Sequence, residues 1–179
     1  MKKKLVFALL ATLIVVVLLC AACTPSEQQN QNILELCSGI SDAKSATQVI
    51  TVKRGSDELA KETRNYNFVT GKVSIERKTL NDSSADELYT TETETKDITG
   101  KPTVNLTKDL LTDVAEKGSS LKATVKNAKL NETFGIDSSD VNGDAKIELV
   151  AENGHIVSIT VSYTSSNGNA VQIVTTYVY

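Results

Sequence analysis

The chain has few aromatic residues, no tryptophan and a single histidine. Aromatic side chains make up 4% of its 179 residues. The core must therefore be built from Val, Ile, Leu and Ala, and few rings are available to stack on sugars or nucleic-acid bases. His155 has no Cys or His at the spacing that a zinc site requires. Sugar binding and a zinc centre are both disfavoured.

An excess of basic residues is also lacking. The chain has 19 basic and 22 acidic residues, and three of the basic ones (Lys2, Lys3 and Lys4) lie at the N-terminus. Residues 23–179 thus keep 16 basic against 22 acidic side chains, a net charge of −6. Phosphate repels such a domain, so nucleic acid is an unfavourable partner. The same segment has no basic cluster that would attract a membrane surface.

The N-terminal segment has the order of an export signal. Three lysines precede an apolar run over residues 5–19, and Ala21 and Ala22 lie directly before Cys23. The run is nearly long enough to span a bilayer, so a retained transmembrane helix and plain secretion are alternatives. Residues 24–32 are polar and contain no basic stop-transfer cluster, which favours cleavage.

The end of this segment, Cys20-Ala21-Ala22-Cys23, resembles the lipobox of bacterial lipoproteins. The resemblance implies that the thiol of Cys23 carries a diacylglycerol, with palmitate among the usual chains, and becomes the mature N-terminus. Cys20 departs from the family pattern, which usually has Leu there. We accordingly expect a signal peptide over residues 1–22, a flexible tether over 23–32 and one domain over 33–179, lipid-anchored to the membrane outside the cytoplasm.

Two apolar patterns predict helices. The first is a stripe over residues 33–43 that includes Cys37, which we expect to be a small buried hydrophobe and not a reactive thiol. With Cys23 acylated, Cys37 has no partner for an intramolecular disulfide. The second pattern covers residues 106–114, with Thr107 as the N-terminal cap and Gly118 closing the C-terminal end.

The remaining patterns predict strands. Residues 49–53, 59–68, 73–77 and 121–125 have strand character, and residues 88–98 are polar on both faces, as in an edge strand. Three alternating runs follow, separated by Asn153-Gly154 and Asn167-Gly168. Asn-Gly between alternating runs is a strong hairpin signal, so these runs predict an antiparallel meander. The fold class is α+β, a curved antiparallel sheet of two meanders packed on two short helices.

This order of elements resembles the half-barrel of lipoprotein-carrier (LolA-like) proteins. The segments that carry the resemblance are residues 145–149, 154–159 and 171–177. In those proteins a curved sheet wraps around helices, and an apolar cavity between them takes acyl chains. The resemblance carries over no signature residue, and so no ligand contact.

No group of residues has the pattern of a catalytic or metal site. His155 is expected at a hairpin tip, exposed to solvent. The carboxylate pairs Glu92/Glu94, Asp86/Glu87 and Asp137/Asp140 lie apart from aromatic residues and are expected to be solvated. Residues 140–144 fit the first ligands of an EF-hand, but Ala145 stands in place of its glycine and Ala151 in place of its glutamate. A weaker calcium site and a plain turn remain as alternatives there.

Together these features predict a non-catalytic lipoprotein that needs no cofactor and binds a lipid or another apolar ligand at the cell envelope. The alternative is a structural module whose sheet exterior, especially residues 88–98, contacts another envelope protein. An enzyme is the least favoured class, because no catalytic arrangement is present.

Overall fold

Nine antiparallel strands form one sheet in the computed structural model, which describes residues 32–81, 88–100 and 103–179. The spatial order is β4-β3-β2-β1-β9-β8-β7-β6-β5, so the sheet is open, with β4 and β5 at its edges. The strands are β1 (Ser45–Arg54), β2 (Asp57–Asn67), β3 (Lys72–Leu80), β4 (Tyr89–Asp97), β5 (Leu111–Lys117), β6 (Ser120–Val125), β7 (Val141–Glu152), β8 (His155–Ser165) and β9 (Ala170–Val178).

Two meanders make up this sheet, and the pairing of β1 with β9 joins them. The first meander consists of β1 to β4, and the second of β5 to β9. The predicted C-terminal meander is confirmed. Asn153 and Gly154, with φ of 51° and 77°, form the turn between β7 and β8, because both residue types tolerate the left-handed region that a two-residue hairpin turn requires.

The apolar core lies on one face of the sheet. Ile147 pairs with Val161 and Leu149 with Ile159 across the β7–β8 ladder, and all four side chains are buried. Each such side chain contributes about 1.5–3 kcal/mol on burial. The opposite face is polar, as one row running from β8 through β9, β1, β2 and β3 to β4 illustrates: Ser158, Thr176, Thr47, Asn65, Ser74 and Thr95.

The first predicted helix is present as a 3-10 helix, Glu35–Asp42, which packs against β8. Its buried residues, Cys37 and Ile40, are three apart, the repeat of a 3-10 helix. The hydroxyls of Ser38 and Ser41 donate to carbonyls three residues earlier, at 2.9 and 3.3 Å. Such local hydrogen bonds compete with those of an α-helix.

The second predicted helix, over residues 106–114, is wrong. Only Lys108–Leu110 form a 3-10 turn, and β5 begins at Leu111, which pairs with Val125. The side chain of Thr107 makes no capping hydrogen bond, and Gly118 (φ 59°) belongs to the β5–β6 turn. Thr112 and Val114 are β-branched and favour the strand. A short α-helix that the sequence patterns did not predict, α1 (Leu130–Phe134), ends at Gly135 in the left-handed region.

The residues from Asn32 to Tyr179 cluster into one unit. The predicted signal peptide, residues 23–31 of the predicted tether and the predicted acylated Cys23 lie outside the described residues.

Candidate functional site

A cleft of about 520 Å³ opens on the core face of the sheet. Its floor is formed by strands β1, β2, β8 and β9, and includes Ala46, Ile159, Ile173 and Tyr177. Its roof is formed by the loop before β5, by α1 and by Ile136. The volume is within the range of small-molecule sites, about 300–1,000 Å³.

Aromatic residues are concentrated at this cleft. Tyr66, Phe68, Phe134 and Tyr177 line it, although the chain has only three Phe and five Tyr. Tyr66 and Phe68 stack with ring centroids 5.9 Å apart and an interplanar angle of 14°. The wall therefore offers flat apolar surface on side chains that lose little conformational entropy when a ligand binds. Such a surface suits a chain-like or ring-containing apolar ligand.

The polar groups of the floor satisfy one another. Gln48 Nε2 donates to Thr175 Oγ1 at 3.3 Å, which links β1 to β9 beneath the cleft. In the roof, Thr133 Oγ1 donates to the carbonyl of Lys129 at 2.9 Å. Burial raises the pKa of Tyr177 far above its ordinary value, so this side chain stays neutral. The cleft thus combines aromatic and aliphatic side chains with polar groups in about equal measure.

Charged side chains occupy the same face of the sheet on the other side of the cleft. Glu62 accepts hydrogen bonds from Arg64 and Arg77. Arg77 Nη1 also lies 2.6 Å from Glu94 Oε1, and Lys96 Nζ lies 3.0 Å from Glu94 Oε2. We call these five residues the charged row.

Electrostatics hold the charged row ionised. Partial burial of Glu62 opposes ionisation, but hydrogen bonds from Arg64 and Arg77 outweigh this effect and leave its pKa below the ordinary value. Hydrogen bonds from Lys96 and Arg77 lower the pKa of Glu94 as well. The row keeps three cations and two carboxylates at neutral pH.

The cleft is where this charged half meets the apolar half. One row of paired residues crosses the face from β7 through β8, β9, β1 and β2 to β3: Leu149, Ile159, Thr175, Gln48, Arg64 and Ile75. Its first two residues are aliphatic, the next two are polar, Arg64 is cationic, and Ile75 is again aliphatic. Ile159, Thr175 and Gln48 line the cleft, and Arg64 is the next residue beyond it.

His155 begins β8 directly after the Asn153-Gly154 turn, at the predicted hairpin tip. The expectation of a solvated side chain is corrected, since His155 is half-buried and stacks on Tyr179 with ring centroids 4.3 Å apart. The hydroxyl of Tyr179 donates to the carbonyl of Ile156 at 2.9 Å. His155 thus has a packing role at the C-terminus.

Cys37 is buried, as the sequence predicts, with 3% of its surface exposed. Burial raises the pKa of its thiol to about 11. The protonated thiol is a poor nucleophile at neutral pH, in agreement with the expectation of a small buried hydrophobe.

The predicted carboxylate pairs form no common site. Glu92 and Glu94 share one face of the edge strand β4, where Glu92 is exposed opposite Arg77 and Glu94 belongs to the charged row. Asp137 accepts hydrogen bonds from the backbone N–H and hydroxyl of Ser139, which lower its pKa. Asp86 and Glu87 lie outside the described residues.

The segment 140–144 leads into β7 and forms its first residues. Asp144 Oδ1 accepts from the backbone N–H of Asn127 at 2.9 Å, which ties β7 to the turn before α1. Among residues 32–81, 88–100 and 103–179, no three His, Cys, Asp or Glu side chains lie close enough to hold a metal ion. The carboxylate of Asp144 is used structurally.

None of the helices in the described part of the chain combines the length and apolar character needed to cross a membrane.

The cleft residues are the part of the site that sequence reasoning missed. Tyr66 and Phe68 fell in a run interpreted only as a polar strand, and Phe134 lies in the unpredicted α1. One available signal is that three of the few aromatic residues lie next to turns, at the ends of elements that border the core.

Comparisons with known proteins give no family. No protein-family model and no curated protein matches the chain. Among solved structures, GphF dehydratase 1 is similar over 75% of this chain and 76% of its own, with 8% identity and a TM-score of 0.22. A variant of the GphF dehydratase made for improved crystallization is similar over 81% of this chain and 81% of its own, with 9% identity and a TM-score of 0.21.

Proposed function

We propose that this chain is a non-catalytic lipoprotein, anchored through Cys23 to the outer side of the cell membrane, whose cleft binds a lipid or another apolar ligand. The observation that carries the proposal is the open, aromatic-lined cleft of about 520 Å³ between the packed apolar half and the charged half of this sheet face. A sheet covered incompletely by short helices is also what a LolA-like half-barrel would present. We therefore propose that the sheet and its short helices form a LolA-like half-barrel.

Filling the cleft tests ligand binding. Thr175 lines the cleft, and its neighbour Thr176 is exposed on the opposite face of β9. Thr175→Phe should abolish or strongly weaken uptake of an environment-sensitive fatty-acid probe, because the ring occupies the cleft. Thr176→Phe is the matched control and should bind like the wild type. Equal binding by both variants, or no uptake by wild-type protein, would overturn the proposal.

The anchor is tested separately. Mass spectrometry of the mature N-terminus in the source cell should show diacylglycerol on Cys23, and Cys23→Ala should move the protein out of the membrane fraction. Cys20→Ala is the control and should leave fractionation unchanged. An unmodified Cys23 in membrane-bound protein would favour the retained helix.

An interaction module is the second candidate, and one observation favours it. β4 is an edge strand with most of its side chains exposed, and among the described residues no strand pairs with its outer side, where a strand of another envelope protein would add. Glu92, Glu94 and Lys96 oppose uncontrolled pairing there. Thr93→Pro should abolish binding of such a partner while leaving fatty-acid uptake intact. If Thr93→Pro lost fatty-acid uptake but still bound the partner protein, β4 would not be the partner-binding strand.

A further inference from the structure

We propose that the ligand of the cleft is an amphiphile with an anionic headgroup, its apolar chain lying over β8 and β9 and its headgroup directed to Arg64. This inference rests on the proposed ligand-binding function and specifies the class of ligand. It follows from the position of the cleft between an apolar half and a charged half of the same sheet face, with Arg64 the charged residue next to the cleft.

Arg64 is the charged residue on the core face that adjoins the cleft. It pairs in register with Gln48, whose side chain forms part of the floor. Its side chain keeps 35% of its surface exposed, while Glu62 keeps 17%. A headgroup leaving the cleft toward β2 therefore meets a guanidinium before it meets a carboxylate.

The cations of this region share their carboxylate partners. Two arginines share one carboxylate, because both Arg64 and Arg77 donate to Glu62. Lys96 and Arg77 likewise share Glu94. The charged row carries one net positive charge, and Glu92, which pairs in register with Arg77 on the same face, balances it at the edge strand β4. An anionic headgroup would add to the hydrogen bonds that Arg64 makes to Glu62 and Tyr66, in keeping with the strong, directional bonds that guanidinium makes to carboxylate and phosphate.

The opposite rim does not impose a competing charge. Glu132 lines the cleft there, but its carboxylate is paired with Lys129 at 3.0 Å. Both side chains are about half exposed, so water screens what remains of their field. The exposed cation next to the cleft is therefore Arg64 on β2, which also bonds to Glu62.

Three probes of equal chain length test the proposal: a fatty acid, an alkyl phosphate and a fatty alcohol. Wild-type protein should bind at least one of the two anions about tenfold more tightly than the alcohol, the factor expected of one charged hydrogen bond. The comparison of the two anions tells whether the natural headgroup is a carboxylate or a phosphate.

Arg64→Gln should reduce this preference to about twofold or less and leave the affinity for the alcohol unchanged. Glu62 keeps Arg77 as its partner in this variant, which limits damage to the fold. Lys72→Gln is the control, since Lys72 lies on the opposite face and pairs with Asp97 at 3.0 Å. Arg64→Lys should retain part of the preference.

Equal wild-type affinity for all three probes would overturn the anionic headgroup and leave the proposed ligand-binding function standing. Failure of every probe to bind would overturn both. If Arg64→Gln does not fold, the relative affinities of the wild-type protein for the three probes still show whether the cleft prefers an anionic headgroup.

Discussion

Glu62 is the residue on which the charged row depends. It is the most buried of the row's carboxylates, and it receives hydrogen bonds from two arginines on adjacent strands, Arg64 of β2 and Arg77 of β3. Removing it would leave two guanidinium groups side by side on the core face, without their shared partner. Removing one partner of a buried ion pair generally destabilises a protein more than replacing both partners by apolar groups.

We expect Glu62→Gln to lower the free energy of unfolding at pH 7 by about 1.5–3 kcal/mol, the range for hydrogen bonds to a charged group. The pKa of Glu62 is lowered in the folded state, so its stabilisation is complete above the ordinary value of 4.5 and is lost as the pH falls through the folded-state pKa. The difference between wild type and variant should therefore narrow below pH 4.5 in urea titrations.

Glu76→Gln is the control for this prediction. Glu76 lies on the opposite face of β3, and its ion pair with Lys78 spans 3.6 Å at an exposed site. Its substitution should change stability by less than about 0.5 kcal/mol. A gap between wild type and Glu62→Gln that stays constant down to pH 3 would contradict the assigned role.

At the scale of elements, the 3-10 helix Glu35–Asp42 closes the core over β8. Ile40 has no exposed surface in this helix. Ile40→Ala should lower the free energy of unfolding by about 2–5 kcal/mol, because the cavity it leaves is enclosed. Val69→Ala provides the control, since Val69 is 77% exposed, and chemical denaturation should find it within about 0.5 kcal/mol of wild type.

Two glycines give opposite expectations for one substitution. Gly168 has φ of 83° in the β8–β9 turn, so Gly168→Ala should cost about 1–2 kcal/mol of stability. Gly39 lies in the 3-10 helix, and a Cβ there would meet nothing within 4 Å. Gly39→Ala should stabilise by about 0.4–1 kcal/mol through the unfolded state. Thermal melting of the two variants should show shifts of opposite sign.

The elements predicted correctly are those whose local signals agree with their tertiary contacts. The C-terminal meander combines alternation with Asn-Gly turns, and each of its strands then finds a neighbour in sequence. Residues 106–114 show the limit of such reasoning. Leu106, Leu110 and Leu111 have helical spacing, but Leu111 is drawn into pairing with Val125, a contact that periodicity does not reveal.

The cleft was beyond sequence reasoning for a similar cause. Its floor joins strands from both ends of the chain, and its roof includes the five-residue helix α1. Gln48 and Thr175 meet there although 127 residues separate them. Local patterns carry no information on which distant strands become neighbours.

At the scale of the whole molecule, β9 holds the sheet together. It pairs with β8 on one side and with β1 on the other. Removal of residues 170–179 should therefore abolish cooperative unfolding, because the two meanders would lose their only strand-to-strand junction in the described structure. Circular dichroism during urea titration, together with hydrogen exchange, measures this. A truncated chain that keeps a single sharp transition would contradict the prediction.

The junction of β1 with β9 has a further consequence for the timing of folding. The two strands lie near opposite ends of the domain, so β1 is synthesised long before β9. The edge of β1 that pairs with β9 therefore stays unpaired until β9 has been synthesised. Until then its free edge, rich in threonine and valine, is exposed to pairing with other chains.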